Sequence, residues 1–65
     1  MDVIKYTDRD RARYRELTEN AIKGGDMMDA GWLLFSRSVL EVRDTKLYRI
    51  EYDTFKEYLN SELGL

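Results

Sequence analysis

Hydrophobic residues recur at helical spacing in three separate stretches of the chain. The first stretch carries a narrow apolar stripe, which is enough to cover one neighbouring helix and little more. Its residues are Tyr14, Leu17 and Ala21, with Ile22 at its margin and Thr18 beside it. Thr7 and Asp10 precede the stripe at the spacing of a capping box, and Gly24-Gly25 follow it as a stop signal. We therefore predict a first helix from Asp8 to about Lys23.

The second stretch is apolar on most of its sides. One face is formed by Met28, Trp32, Phe35, Val39 and Val42, and the apolar surface is widened by Ala30, Leu33, Leu34 and Leu40. A helix with this pattern needs neighbours on most sides, so we predict a core helix from about Asp26 to Arg43 with Trp32 and Phe35 buried. Gly31 inside it costs about 1 kcal/mol relative to Ala, which predicts that another backbone approaches closely there.

The third stretch begins with a capping box formed by Thr54 and Glu57. Apolar residues then follow at helical spacing, namely Phe55, Tyr58, Leu59 and Leu63. We predict a third helix with Phe55 in the core and an end at Gly64, where Leu65 can fold back onto Leu59.

The segment between the second and third helices has two interpretations. Tyr48, Ile50 and Tyr52 alternate with charged residues as in a half-buried strand. We expect an all-α fold, a compact three-helix domain spanning residues 1–65. The alternative is an α+β fold in which residues 3–6 and 47–52 form a short two-stranded ribbon.

Composition narrows the classes of function. The 65-residue chain has no histidine and no cysteine, a net charge of -2, 43% hydrophobic residues and 37% charged residues. It thus lacks the commonest general base, the thiolate nucleophile and the best zinc ligands. We expect no enzyme, no cofactor, no metal site, no small-molecule substrate and no membrane span, and we expect a cytoplasmic protein. A domain this small is marginally stable, which favours a dimer or a protein partner.

Tyrosine and basic residues are dense in the last third of the chain. Tyrosine and arginine are enriched at protein interfaces, so this region is the candidate partner-binding site. Its residues are Arg43, Lys46, Tyr48, Arg49, Tyr52 and Tyr58. Of these, Tyr48, Tyr52 and Tyr58 are open to two interpretations, the edge of the core or the partner surface.

The C-terminal half, from about Trp32, resembles a pattern in short phage- and plasmid-borne bacterial proteins. The residues that carry the resemblance are Leu40, Arg43, Asp44, Leu47, Tyr48, Arg49, Tyr52, Thr54, Phe55, Glu57, Tyr58 and Gly64. In those mobile-element proteins a serine- and arginine-rich helix follows the glycine and completes a region like a DNA-binding helix-turn-helix. In this sequence only Leu65 follows Gly64, so the resemblance transfers no base-contacting residue. It also implies that residues 47–52 form a helical connector, which we favour over the strand.

These observations lead to one expected function and two alternatives. We expect a mobile-element module that binds another protein or its own copy. The first alternative is a DNA-binding or transcription-regulating protein, in which Arg9–Arg15 or the basic set Arg43, Lys46 and Arg49 contacts phosphates. The second is a small phage inhibitor that occupies a host enzyme.

Overall fold

A computed structural model describes residues 5–26 and 28–65 of the chain. Two long helices, α1 (Asp8–Asp26) and α2 (Met28–Thr45), are followed by a 3₁₀ helix (Leu47–Ile50) and by α3 (Phe55–Leu63). The described ranges contain no strand, which confirms the all-α three-helix domain. The ribbon alternative is wrong for residues 47–52, because a helical connector occupies them. Residues 3–4 of its other predicted strand lie outside the described residues.

The predicted caps form at both ends of the fold. The Asp10 amide donates to Thr7 Oγ1 at 3.1 Å while the Thr7 amide donates to Asp10 Oδ2 at 3.0 Å, a reciprocal capping box at α1. At α3 the Glu57 amide donates to Thr54 Oγ1 at 3.1 Å. Gly64 then takes the left-handed conformation (φ 68°), and the Leu65 amide reaches back to the Leu59 carbonyl at 3.2 Å. Each pair satisfies backbone groups that a helix end would otherwise leave unpaired.

The glycine pair does not end α1, contrary to the prediction. The helix continues through Gly24-Gly25 to Asp26. The α2 helix packs against α1 at Gly24, where Gly31 and Phe35 are the neighbours. A Cβ atom on Gly31 would overlap the carbonyl oxygen of Gly24 and lie 2.7 Å from its Cα. The close approach predicted at Gly31 is therefore confirmed. Because α2 leaves no room for a side chain on Gly24, that glycine acts in helix packing and not as a stop.

The core lies where the 3₁₀ helix and α3 pack onto the α1–α2 hairpin. Its buried apolar side chains are Tyr14, Leu17, Ala21, Val42, Leu47 and Tyr58. Within it the Thr18 and Tyr58 hydroxyls share a buried hydrogen bond of 2.9 Å. At the surface, Arg13 binds Glu41 through two hydrogen bonds of 2.7 and 2.8 Å, which join α1 to α2.

Two of the three aromatic residues expected in the core are only half-buried, and the third is at the surface. Phe35 and Phe55 are partly covered. Trp32 keeps 66% of its surface exposed, so its predicted burial is wrong. The short α3 packs mainly against α1 and the 3₁₀ helix, so that among the described residues the main neighbour of α2 is α1. The domain is accordingly long, at 42 × 22 × 15 Å.

Candidate protein-binding surface

One side of α2 presents apolar side chains to solvent. Trp32 is 66% exposed, Leu33 59% and Leu40 45%. Ser36 and Val39 lie between them along the helix and are partly covered. Since residues three, four and seven apart share a helix side, these five residues form one continuous strip. We name it the outer face of α2.

The packing of the hairpin explains why these residues point outward. The opposite side of α2 is buried against α1 through Gly31, Ser38 and Val42. The glycines let the two helices approach closely, so the contact surface of α2 is narrow. The Phe35 ring lies against Gly25 of α1 and stacks on the Trp32 indole, with centroids 6.1 Å apart. One face of the Trp32 indole therefore packs against the Phe35 ring, and its other face is exposed to solvent.

The basic residues of the predicted site lie close to the junction of α2 and the 3₁₀ helix. Arg43, Lys46 and Arg49 are all exposed. Arg43 donates to its neighbour Asp44 at 3.2 Å. Lys46 adopts a left-handed conformation (φ 59°), and its carbonyl accepts a hydrogen bond from the Tyr6 hydroxyl at 2.9 Å. The chain reversal after α2 therefore sets these cations at the surface.

The tyrosines of the predicted site differ in accessibility. Tyr58 is fully buried and its hydroxyl is bonded to Thr18, so it belongs to the core and is removed from the candidate surface. Tyr48 and Tyr52 are half-buried. The Tyr52 hydroxyl donates to Glu62 at 2.8 Å, a bond that raises the pKa of the Tyr52 phenol. Burial of Tyr58 follows from its position at the centre of α3, where the helix faces α1.

A half-open groove of about 480 Å³ runs between α1, the 3₁₀ helix and α3. Arg11 and Arg15 line it together with the carboxylates of Glu51 and Glu62. Tyr14 is at its floor, where its buried hydroxyl has no partner among the described residues at hydrogen-bond distance and angle. Burial, and after it the nearby Glu51 carboxylate, raises the pKa of this phenol. Glu19 also lines the groove, so two arginines and three glutamates give its walls mixed charge.

The described residues contain no cluster of three or more histidine, cysteine, aspartate or glutamate side chains that would hold a metal ion. Among the helices of residues 5–26 and 28–65, none is both long and apolar enough to cross a lipid bilayer.

Comparison with known protein families, curated proteins and solved structures finds no match to this chain.

The sequence pattern places a dimer interface on the second helix or on residues 47–58, but the predicted site residues do not include those of the outer face of α2. Leu33 and Leu40 are spaced seven residues apart, which places them on one side of the helix, away from the stripe of Gly31 and Val42. The signal was present in the pattern, because α2 is apolar on most sides and the sequence predicts only two further helices to cover it. The pattern does not indicate which side of α2 those helices pack against.

Proposed function

We propose that this chain is a non-enzymatic protein-binding module that acts through the outer face of α2. The supporting observation is the exposure of Trp32, Leu33 and Leu40 in one continuous strip. Each Å² of apolar surface left in water costs about 25 cal/mol, and contiguous exposed strips of this kind mark interaction sites. Tryptophan is also among the residues that contribute most to binding energy at interfaces.

Part of the predicted tyrosine and arginine site adjoins this strip. Arg43 follows Leu40 by three residues and Val39 by four, so it lies at the C-terminal end of the outer face. In this position it serves as a charged rim beside an apolar centre, the usual arrangement of interface residues. The roles of Lys46, Tyr48, Arg49 and Tyr52 stay predictions, as do the cytoplasmic location and the phage or plasmid origin.

DNA binding is the second candidate, favoured by the exposure of Arg43, Lys46 and Arg49 at one junction. The two candidates differ in their response to salt. Phosphate contacts release counterions, so DNA binding weakens steeply as ionic strength rises. Burial of an apolar face does not weaken in this way.

Affinity capture with three baits, from a bacterial lysate that also contains an untagged copy of this chain, tests the proposal. The baits are the wild type, a Leu33→Glu/Leu40→Glu variant and a Lys56→Glu variant, each used with and without nuclease. Lys56 is exposed on α3, and its replacement makes the net charge more negative by the same amount as the double substitution. We expect a captured protein that survives nuclease, is retained by Lys56→Glu and is lost with Leu33→Glu/Leu40→Glu. Capture that nuclease abolishes, or that the double substitution leaves unchanged, contradicts the proposal.

A further inference from the structure

We propose that the partner of the outer face of α2 is a second copy of the same chain, bound antiparallel across a two-fold axis near Ser36. This inference rests on the proposed function and specifies its partner. The resulting dimer places two α1–α2 hairpins back to back as a four-helix arrangement, with α1 and α3 of each copy on the outside.

The distribution of side chains along the outer face is self-complementary. Trp32 and Leu33 lie on one side of Ser36, and Val39 and Leu40 lie at equal distances on the other. An isologous contact requires each patch to fit itself after a two-fold rotation. Antiparallel packing sets Trp32 against Leu40 of the second copy and Leu33 against its Val39. Parallel packing would instead set the two tryptophans against each other.

The smallest residue of the strip is at the centre of the arrangement. Ser36 is partly covered, while Leu33 and Leu40 project on either side of it. A small side chain at a crossing point lets two helices approach to the 8–10 Å separation of packed pairs. The flanking leucines can then enter the space beside the serine of the other copy.

The apolar area exposed on the outer face of α2 is about as large as the area that a small dimer interface buries. Taking about 200 Å² for a large apolar side chain, the exposed fractions of Trp32, Leu33 and Leu40 correspond to about 350 Å². The partly covered neighbours raise this to about 450 Å² per copy, so two copies bury about 900 Å² before rim residues are added. With the rim the contact reaches the total of about 1,000 Å² at which specific interfaces begin.

The charge pattern also favours an apolar, self-pairing partner over a nucleic acid. Between Trp32 and Leu40 the only charged residue is Arg37, which lies about 100° around the helix from Ser36. The centre of the strip therefore offers no cation to a phosphate. The Glu41 carboxylate near its end is already bound by Arg13.

Sedimentation velocity on the full chain tests the dimer directly. We expect wild type and Lys56→Glu to dimerise with a dissociation constant on the order of 10 μM. Leu33→Glu/Leu40→Glu should raise that constant by at least about 100-fold and retain the helical circular dichroism of the wild type. A wild type that stays monomeric up to about 1 mM, or a dimer that the double substitution leaves intact, overturns the inference.

Cysteine crosslinking tests the position of the axis, because the chain has no native cysteine. Ser36→Cys should oxidise to a covalent dimer at least about 10-fold faster than Ser61→Cys, an exposed position on α3, since a disulfide needs Cα atoms within about 7 Å. An equal mixture of Leu33→Cys and Val39→Cys chains, the pair that the antiparallel packing sets opposite each other, should yield mostly mixed disulfides. The antiparallel contact is wrong if Ser36→Cys and Ser61→Cys oxidise at equal rates. It is also wrong if, in the mixture, disulfides form only between two copies of the same variant.

Failure of the dimer and failure of the proposed function give different results. If the wild type is a monomer but capture of another protein depends on Leu33 and Leu40, the inference is wrong and the protein-binding function stands. If the wild type is a monomer and no capture depends on these leucines, both are wrong.

Discussion

Replacing Gly31 by alanine should destabilise the domain even though alanine favours a helix. Gly31 lies inside α2 and is buried against α1. The added Cβ would overlap the Gly24 carbonyl oxygen and come within 2.7 Å of its Cα and 2.8 Å of its carbonyl carbon. All three atoms are backbone, so no side-chain rotation relieves the overlap and the two helices must move apart.

Two opposing terms set the size of the effect. Alanine gains about 1 kcal/mol over glycine in a helix interior, and inserting a methyl group into a tightly packed contact costs about 1–3 kcal/mol. Because rigid backbone meets the methyl group, we place the cost at the upper end and expect a net loss of about 1–2 kcal/mol. For a domain of this size that loss lowers Tm by about 5–15 °C.

Gly25→Ala is the matched control for this prediction. A Cβ on Gly25 would meet only the Phe35 ring, at 3.5 Å, an ordinary van der Waals contact. Thermal unfolding is monitored by circular dichroism at one protein concentration. The Tm of Gly31→Ala should be lower than that of the wild type, and the Tm of Gly25→Ala should equal or exceed it. A Gly31→Ala variant as stable as Gly25→Ala would refute the close approach of the two helices.

Three further predictions concern polar groups of the core and hairpin. Tyr58→Phe should lower the free energy of unfolding, measured in urea, by about 1–2 kcal/mol, because it leaves the buried Thr18 hydroxyl without its hydrogen-bond partner. Adding Thr18→Val should restore most of that free energy. Tyr14→Phe should cost less than Tyr58→Phe in the same assay, because the Tyr14 hydroxyl has no hydrogen-bond partner among the described residues; an equal cost would contradict this. Hydrogen bonds from Arg13 lower the pKa of the Glu41 carboxyl, so Glu41→Gln should reduce Tm by at most about 5 °C. That difference should be present above the unfolded-state pKa of about 4.3 and vanish as pH falls through the lower folded-state value.

The features that sequence reasoning predicted correctly are local ones. Thr7 with Asp10 and Thr54 with Glu57 act over three residues, so their caps form wherever a helix begins. Gly31 was predicted to meet another backbone because glycine inside an apolar helix has a cost that packing must offset.

The errors arose where tertiary packing decides the outcome. Gly24 carries the sequence signal of a helix end, but the same absence of a side chain also permits α2 to cross there. Trp32 belongs to an apolar stripe that also includes buried Val42, and the pattern does not say how far along the helix its neighbours reach. Of the predicted site, Tyr58 is in the core because it lies on the side of α3 that contacts Tyr14 and Thr18 of α1.

The exposed tryptophan and the small core have one physical origin. Two close-packed helices joined at the level of Gly24 and Gly31 make a narrow contact, and a nine-residue α3 covers only one end of it. Under the proposal above, another molecule covers the remaining side of α2, on which no further helix of residues 5–26 and 28–65 packs. Because binding of such a molecule would stabilise the folded state by mass action, the proposal predicts that the apolar surface exposed on α2 both lowers the stability of an isolated domain and supplies the free energy of its association.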